Sequence, residues 1–474
     1  MSDRRYGDGP ARESEDRAGP PPSPVTPGAL AGIAAVWSLT RAGLLLCVFR
    51  VVVPPGPDVT SDVSVIYRGW YEVLRAGTFP VADVTWQYPP AAALAILSPG
   101  ALPFLGYATA FFVLALVCDA AVLGLLLTAA RRPGRSVRGV WVWVAGVPLL
   151  GPTAYARYDL MVTAVAVAAL LAGVRRPRAM GALVALGALV KVWPVLLLAG
   201  VARARVWWSA GLVAGAVLAV SALVPGAFGF LTHQRDRGTE VESLGALVFH
   251  VRRLLGDRET RVLLNYGSIE FVGPGVPVVS AAALLLAVAA LGWLVAWRLR
   301  ARAAPRDPGP AGNREPADLT PEGPAPGCRT PEGPARGVAA AAWPGPVADA
   351  ALTAVLLFTT TSRVISPQYL LWPTGLAAVC LLGRRAAMTG PAVLVLLASA
   401  VTVVEFPLLF GRVVASDPVG VALLVLRNGL LVAATVWACR RLWRSTVPYR
   451  GSRTAAVRPG VSPAAAADSP ASAR

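Results

Sequence analysis

The 474 residues include one lysine, Lys191, and two histidines, His233 and His250. So few histidines exclude a histidine-rich metal centre. The five cysteines (Cys47, Cys118, Cys328, Cys380 and Cys439) show no metal-ligand spacing. Four lie in apolar runs and one in a polar linker, so no disulfide framework is expected. No GxGxxG follows a strand and no lysine-bearing phosphate loop occurs, which excludes the common nucleotide-binding machinery. The period-2 alternation of a membrane barrel is also missing. The first 28 residues are polar and proline-rich and carry no short apolar core before a small-residue cleavage site, so no cleaved signal peptide is expected.

What the chain has in abundance is apolar length. Hydrophobic residues make up 55% of it, with a mean hydropathy of +0.58. Runs near the spanning length recur almost throughout, which predicts an all-α polytopic membrane protein with about nine to eleven transmembrane helices. The net charge of +18 does not point to nucleic acid, because the arginines sit in short clusters between apolar runs. Examples are Arg131-Arg132, Arg175-Arg176-Arg178, Arg298-Arg300-Arg302 and Arg440-Arg441-Arg444, as expected of cytoplasmic pins. With a cytoplasmic N-terminus over 1–28, an N-terminal transmembrane module covers 29–300 and further helices cover 346–445. Long loops at 54–90 and 233–276 then face outward, with juxtamembrane helices among them. The linker 301–345, which repeats "TPEGPA", and the tail 446–474 cannot bury a core and are expected to be disordered on the cytoplasmic side.

The stretch 179–202 is long enough for one span, yet both flanks are basic. A re-entrant hairpin broken at Lys191-Val-Trp-Pro194 keeps both flanks inside; one full span would invert everything downstream. Lys191 remains inside an apolar stretch although arginine serves everywhere else, and intramembrane charges are costly. Arg41 and Asp119 fall at matching depths in spans one and two and are expected to form a buried pair.

The remaining polar residues collect on the outer face, where a lipid can arrive from the side and a polar substrate from outside. Asp62 opens an amphipathic stretch and serves either as a helix cap or as a site acid. Asp58 suits a loop acid, and Asp83 suits a turn or a second site acid. Arg157 and Asp159 form either a local ion pair or part of a site, and the same choice holds for Arg237 with Glu242. Arg363 is an interfacial anchor or a ligand for an anion.

The run "DVSVIYRGWYEVLRAGTFPVADVTWQYPP" from Asp62 resembles the family 87 glycosyltransferases of the GT-C superfamily. So do "RYDL", "LVKVWPVLLL", "RGTEVESL", "SPQYLLWP" and "LRNGLL", over about residues 30–445 without the linker. The family includes actinobacterial α-mannosyltransferases that use polyprenyl-phosphate-mannose. The resemblance implies a GT-C-like helix bundle in the cell membrane and a first outer loop that supplies the catalytic aspartate. Asp62 matches that position best, with Asp58 competing. It implies a polyprenyl-phosphate-sugar donor, a glycolipid or glycan acceptor and the lipid bilayer as partners. On this scheme Lys191, Arg237, Arg363 and Arg157 are candidates for the donor phosphate. Trp86, Tyr88, Gln368 and Tyr369 shape the sugar pocket, alongside Asp83, Asp159 and Glu242. It calls for no metal and no cofactor beyond the lipid-linked donor. A lipid or sugar transporter is the rival class, with Arg41 and Asp119 as its midplane charges.

Overall fold

A computed structural model describes residues 25–235, 237–303 and 345–447. Most of the expected disordered linker and tail, 304–344 and 448–474, and the first 24 residues lie outside the described residues, whereas 301–303, 345 and 446 are helical. The helices in chain order are α1 (Pro27–Val48), α2 (Arg68–Arg75), α3 (Ala92–Leu97), α4 (Tyr107–Ala130), α5 (Arg138–Gly146), α6 (Asp159–Ala172), α7 (Pro177–Val190) and α8 (Ala204–Ser221). They continue with α9 (Phe230–Arg235), α10 (Leu247–Leu254), α11 (Val276–Ala303), α12 (Gly345–Thr361), α13 (Leu371–Cys380), α14 (Thr389–Val403), α15 (Phe410–Ala415) and α16 (Pro418–Thr446). The protein is thus an all-α polytopic membrane protein. Among the described residues six helical runs are long and apolar enough to cross a bilayer: α1, α4, α8, α11, α14 with its extension to Leu408, and α16. The shorter apolar helices α6, α7 and α12 complete the bundle.

Helix α1 starts at Pro27, a little earlier than the apolar run alone suggests. Thr26 accepts the Ala29 N–H, and proline at the first position sacrifices no hydrogen bond. The third span is broken: α5 stops at Gly146, and a 3-10 segment over Pro148–Ala154 turns at Gly151, whose φ is 59°. That break carries the chain to Tyr155 and Asp159.

Arg41 and Asp119 meet as expected, at 2.8 Å and almost fully buried. Arg41 also donates to the carbonyls of Val144 and Trp143, while Asp119 accepts from Trp37, Trp143 and the Tyr155 hydroxyl. The pair ties α1, α4 and α5 together with both charges fully hydrogen-bonded, the condition under which a buried ion pair is tolerable.

Helix α7 ends at Lys191, which is extended (φ −154°, ψ 127°), and a short 3-10 segment, Trp193–Leu198, leads back. Arg203 reaches the Gly173 carbonyl at 3.0 Å, so the two basic flanks stand side by side. Arg298 donates to the carbonyls of Leu198, Ala199 and Val201 at the same end. The chain therefore folds back on itself, with Lys191 at the tip.

One region departs from the all-helical expectation. The 233–276 loop builds a three-stranded antiparallel sheet from β1 (Thr239–Glu240), β2 (Arg261–Asn265) and β3 (Ser268–Val272), in the order β1-β3-β2. Strands β2 and β3 join through Tyr266-Gly267, both with positive φ, the geometry of a two-residue hairpin turn. Phe249, Phe271, Val241, Val413 and Leu424 form its own small core. His250 is buried there, bridging Ser416 and the Val241 carbonyl at 2.8 Å each.

Candidate active site

A cavity of about 1060 Å³ opens between this cap, the first long loop and the end of the bundle opposite the arginine clusters. Four segments form its walls: the stretch from Pro57 to Trp70, the Tyr88-Pro89 turn, the tip of the α7 hairpin, and the 362–372 segment. The β2–β3 turn closes another side, where Gln87 donates to the Tyr266 carbonyl at 2.9 Å.

The three aspartates of the first loop have different fates. Asp58 and Asp83 each begin the tripeptide Asp-Val-Thr. In both, one carboxylate oxygen accepts the backbone N–H of the threonine at 2.9 Å and its hydroxyl at 2.6 Å. These are self-closed turns, an intrinsic habit of aspartate. The second oxygen of Asp58 faces Arg50 at 3.1 Å, and that of Asp83 takes the Trp70 indole at 2.7 Å. Burial is the largest single influence and raises the Asp58 carboxyl, but the two Thr60 hydrogen bonds and the Arg50 charge together outweigh it and hold the group below its ordinary value.

Asp62 is different. It begins a π-helical turn, Asp62–Tyr67, a form enriched at functional sites. Its side chain is 31% exposed, lines the cavity, and meets the Arg157 guanidinium at 2.8 Å. Arg157 also donates to the carbonyls of Val59 and Ala156, which fixes its plane. The local pair considered for Arg157 and Asp159 does not form, because the two side chains turn to different partners. Asp159 points inward, 1% exposed, and binds Lys191 through both oxygens at 2.8 and 2.9 Å, with the Trp372 indole at 2.6 Å. The Lys191 ammonium lies 5.2–5.5 Å from the rings of Tyr88, Tyr158, Tyr369 and Trp372, an aromatic box that favours a cation.

Arg237 does not pair with Glu242. It reaches Glu270 of β3 at 3.3 Å and the Ser268 hydroxyl at 2.8 Å. Glu242 instead belongs to a buried group in which Arg427 lies 3.4 Å from Glu242 and 3.2 Å from Glu405. Burial, then the Glu405 and Glu240 charges, push the Glu242 carboxyl well above its ordinary value, with Arg427 opposing. Burial and the neighbouring Arg237 charge push Arg363 below the usual guanidinium range. Burial pushes the Tyr88 hydroxyl up to about 12.

Ten of the residues singled out in the sequence line this one cavity: Asp58, Asp62, Tyr88, Arg157, Lys191, Arg237, Glu242, Arg363, Gln368 and Tyr369. Asp83, Trp86 and Asp159 are not among the lining residues. Asp83 is spent in its turn, Asp159 stands behind Lys191, and Trp86 is buried among the rings of Trp70, Phe79 and Tyr88. Glu240, Glu270, Arg427 and Trp372 were not anticipated. Glu240, Arg427 and Trp372 sit inside the quoted "RGTEVESL", "LRNGLL" and "SPQYLLWP", and Glu270 is the lone acid of an otherwise alternating strand, so all four left a faint signal. Among the described residues no group of three or more His, Cys, Asp or Glu side chains is placed to hold a metal ion.

Residues 86–309 match the family model described as Glycosyltransferase family 87. No curated protein and no solved structure matches the chain.

Proposed function

We propose that the chain, whose residues 86–309 match the family 87 model, is a membrane glycosyltransferase of that family and transfers a hexose, mannose by the resemblance, from polyprenyl phosphate to a hydroxyl of a lipid or glycan acceptor. The carrying observation is the Asp62 carboxylate: it alone of the first-loop aspartates is not closed into a turn of its own, and it faces the cavity beside a fixed arginine.

The proposed reaction needs one base. Asp62 accepts the proton of the acceptor hydroxyl as that oxygen attacks the anomeric carbon. The bond from that carbon to the phosphate oxygen breaks on the opposite face, so a β-linked donor gives an α-linked product. The proton ends on Asp62, and the electron pair leaves with polyprenyl phosphate. That leaving group requires charge stabilisation rather than protonation, which guanidinium groups in a water-poor pocket supply. Arg237 and Arg363 suit this role, with Lys191 and Arg157 lining the same cavity. Arg157 holds the carboxylate in its orientation. Tyr88, Tyr369 and Gln368 offer a ring-and-amide surface typical of sugar contacts. Ile66, Leu231, Phe230, Phe358, Phe406 and Phe410 give the cavity an apolar side suited to an isoprenoid chain. We place this chemistry on the outer face of the cell membrane, opposite the arginine clusters.

The test is direct. Purified protein in vesicles receives labelled polyprenyl-phosphate-mannose and a crude lipid acceptor pool. A new labelled glycolipid is expected. Movement of label across the vesicle without a new product indicates a transporter instead and overturns the proposal.

A further inference from the structure

Two buried carboxylates that the proposed chemistry does not use lie directly behind its arginines. Glu240 of β1 and Glu270 of β3 are register partners in the antiparallel sheet, 4% and 0% exposed. Directly opposed residues share one face of a sheet, and like charges there are destabilising unless something offsets them. Each carboxylate instead binds a segment that carries a cavity arginine.

Glu270 accepts from Arg237 Nε at 3.3 Å, the Gly238 N–H at 2.9 Å and the Ser268 hydroxyl at 2.9 Å. Ser268 in turn accepts from Arg237 Nη2 at 2.8 Å. Two nitrogens of the guanidinium are therefore fixed from behind. Glu240 joins the second arginine. Its N–H donates to the Arg363 carbonyl at 3.0 Å, and its carboxylate accepts from the Ile365 N–H at 2.7 Å and the Ser366 hydroxyl at 2.8 Å. The strap carrying Arg237 is thereby riveted to the segment carrying Arg363. Both arginines line the same cavity, where a bound anion can meet the two of them.

We infer that Glu270 and Glu240 are positioning residues, which hold Arg237 and Arg363 as a preset two-arginine seat for a phosphate monoester. This rests on the donor reading above and specifies which cations meet the leaving phosphate. Lys191 is bound through both oxygens of Asp159, and Arg157 orients Asp62, so each already has another duty in the cavity. Preset donors are worth more than mobile ones because no ordering cost falls on the ligand. The sheet of the cap then has a definite role, since its strands β1 and β3 carry the two carboxylates.

The experiment is a double-mutant cycle read as binding of polyprenyl phosphate, the leaving product, to full-length protein in detergent. Arg237→Gln and Glu270→Gln should each weaken binding about tenfold, and the double variant should be no weaker than Arg237→Gln alone. Glu240→Gln keeps a carbonyl acceptor for Ile365 and should lose less than Glu240→Ala. Fully additive losses in the double variant mean that Glu270 does not act through Arg237, and this overturns the inference while leaving the donor reading intact. Wild-type protein that fails to bind polyprenyl phosphate overturns the donor reading, and the two-arginine seat falls with it.

Discussion

Arg41 with Asp119 and Arg157 with Asp62 are the same chemical pair, each closed at 2.8 Å. Their surroundings differ completely. The first pair is 1% and 0% exposed, and tryptophan, tyrosine and backbone groups from α1, α5 and the Tyr155 turn occupy its remaining hydrogen-bonding positions. The second is 11% and 31% exposed and opens on the cavity. A sealed pair has nothing left to give a substrate, so it can only hold helices together. An open pair keeps a carboxylate oriented while leaving it within reach of a hydroxyl. Sealing, not distance, separates framework from chemistry, and it also weighs against a transport role for Arg41 and Asp119.

Breaking the sealed pair should have the largest effect on stability. Asp119→Ala leaves Arg41 buried without its counter-charge, at a cost of about 3–5 kcal/mol. Loss of folded protein from detergent extracts is expected; a wild-type melting temperature would show that the pair is not framework. Lys191–Asp159 stands between the two classes, since it is nearly sealed yet touches the cavity. Lys191→Met alone should destabilise by about 3 kcal/mol, and adding Asp159→Asn should recover most of that in thermal melts. Transfer should remain down about tenfold in the double variant, because the ammonium is gone from the cavity wall; full recovery of transfer would class this pair with Arg41–Asp119.

Glu242 gives a pH-dependent contrast. Its carboxyl is raised in the folded protein, first by burial and then by neighbouring carboxylates. The folded state therefore holds more protons than the unfolded chain above about pH 4.3, and stability falls as pH rises from there toward the folded value. The decline should be about 1 kcal/mol per pH unit. Glu242→Gln should flatten its share of that slope in melts taken across the range; an unchanged slope would mean that Glu242 is ionised in the fold. The smallest effect belongs to Asp58→Asn, because the amide still offers an oxygen to Thr60. A change under about 1 kcal/mol is expected, with transfer within a few-fold of wild type. Loss of transfer there would move the base from Asp62 to Asp58.

Much of the frame was legible in residue order. The apolar runs marked the spans, the matched depths of Arg41 and Asp119 predicted their contact, and basic flanks on both sides of Lys191 favoured a hairpin over one full span without deciding between them. All of these follow from one-dimensional periodicity and the cost of burying charge. The partners of the site charges were not legible. Arg157 lies beside Asp159 in sequence but bonds Asp62, and Arg237 lies near Glu242 but bonds Glu270. Such choices are set by how distant segments dock. The repeated Asp-Val-Thr was a missed local signal, since a threonine two residues after an aspartate announces a closed turn and Asp62 has none. The β2–β3 hairpin was missed because Tyr-Gly is an unusual turn pair in a chain otherwise dominated by helical runs.

The decisive measurement is the rate of sugar transfer by Asp62→Asn beside wild type, with the melting temperatures of both. An amide fills the same space but cannot take a proton, so transfer should fall at least about a hundredfold while the melting temperature holds. A well-folded Asp62→Asn protein that still transfers sugar near the wild-type rate would contradict the assignment of the base and, with it, the chemistry proposed for the open arginine–aspartate pair.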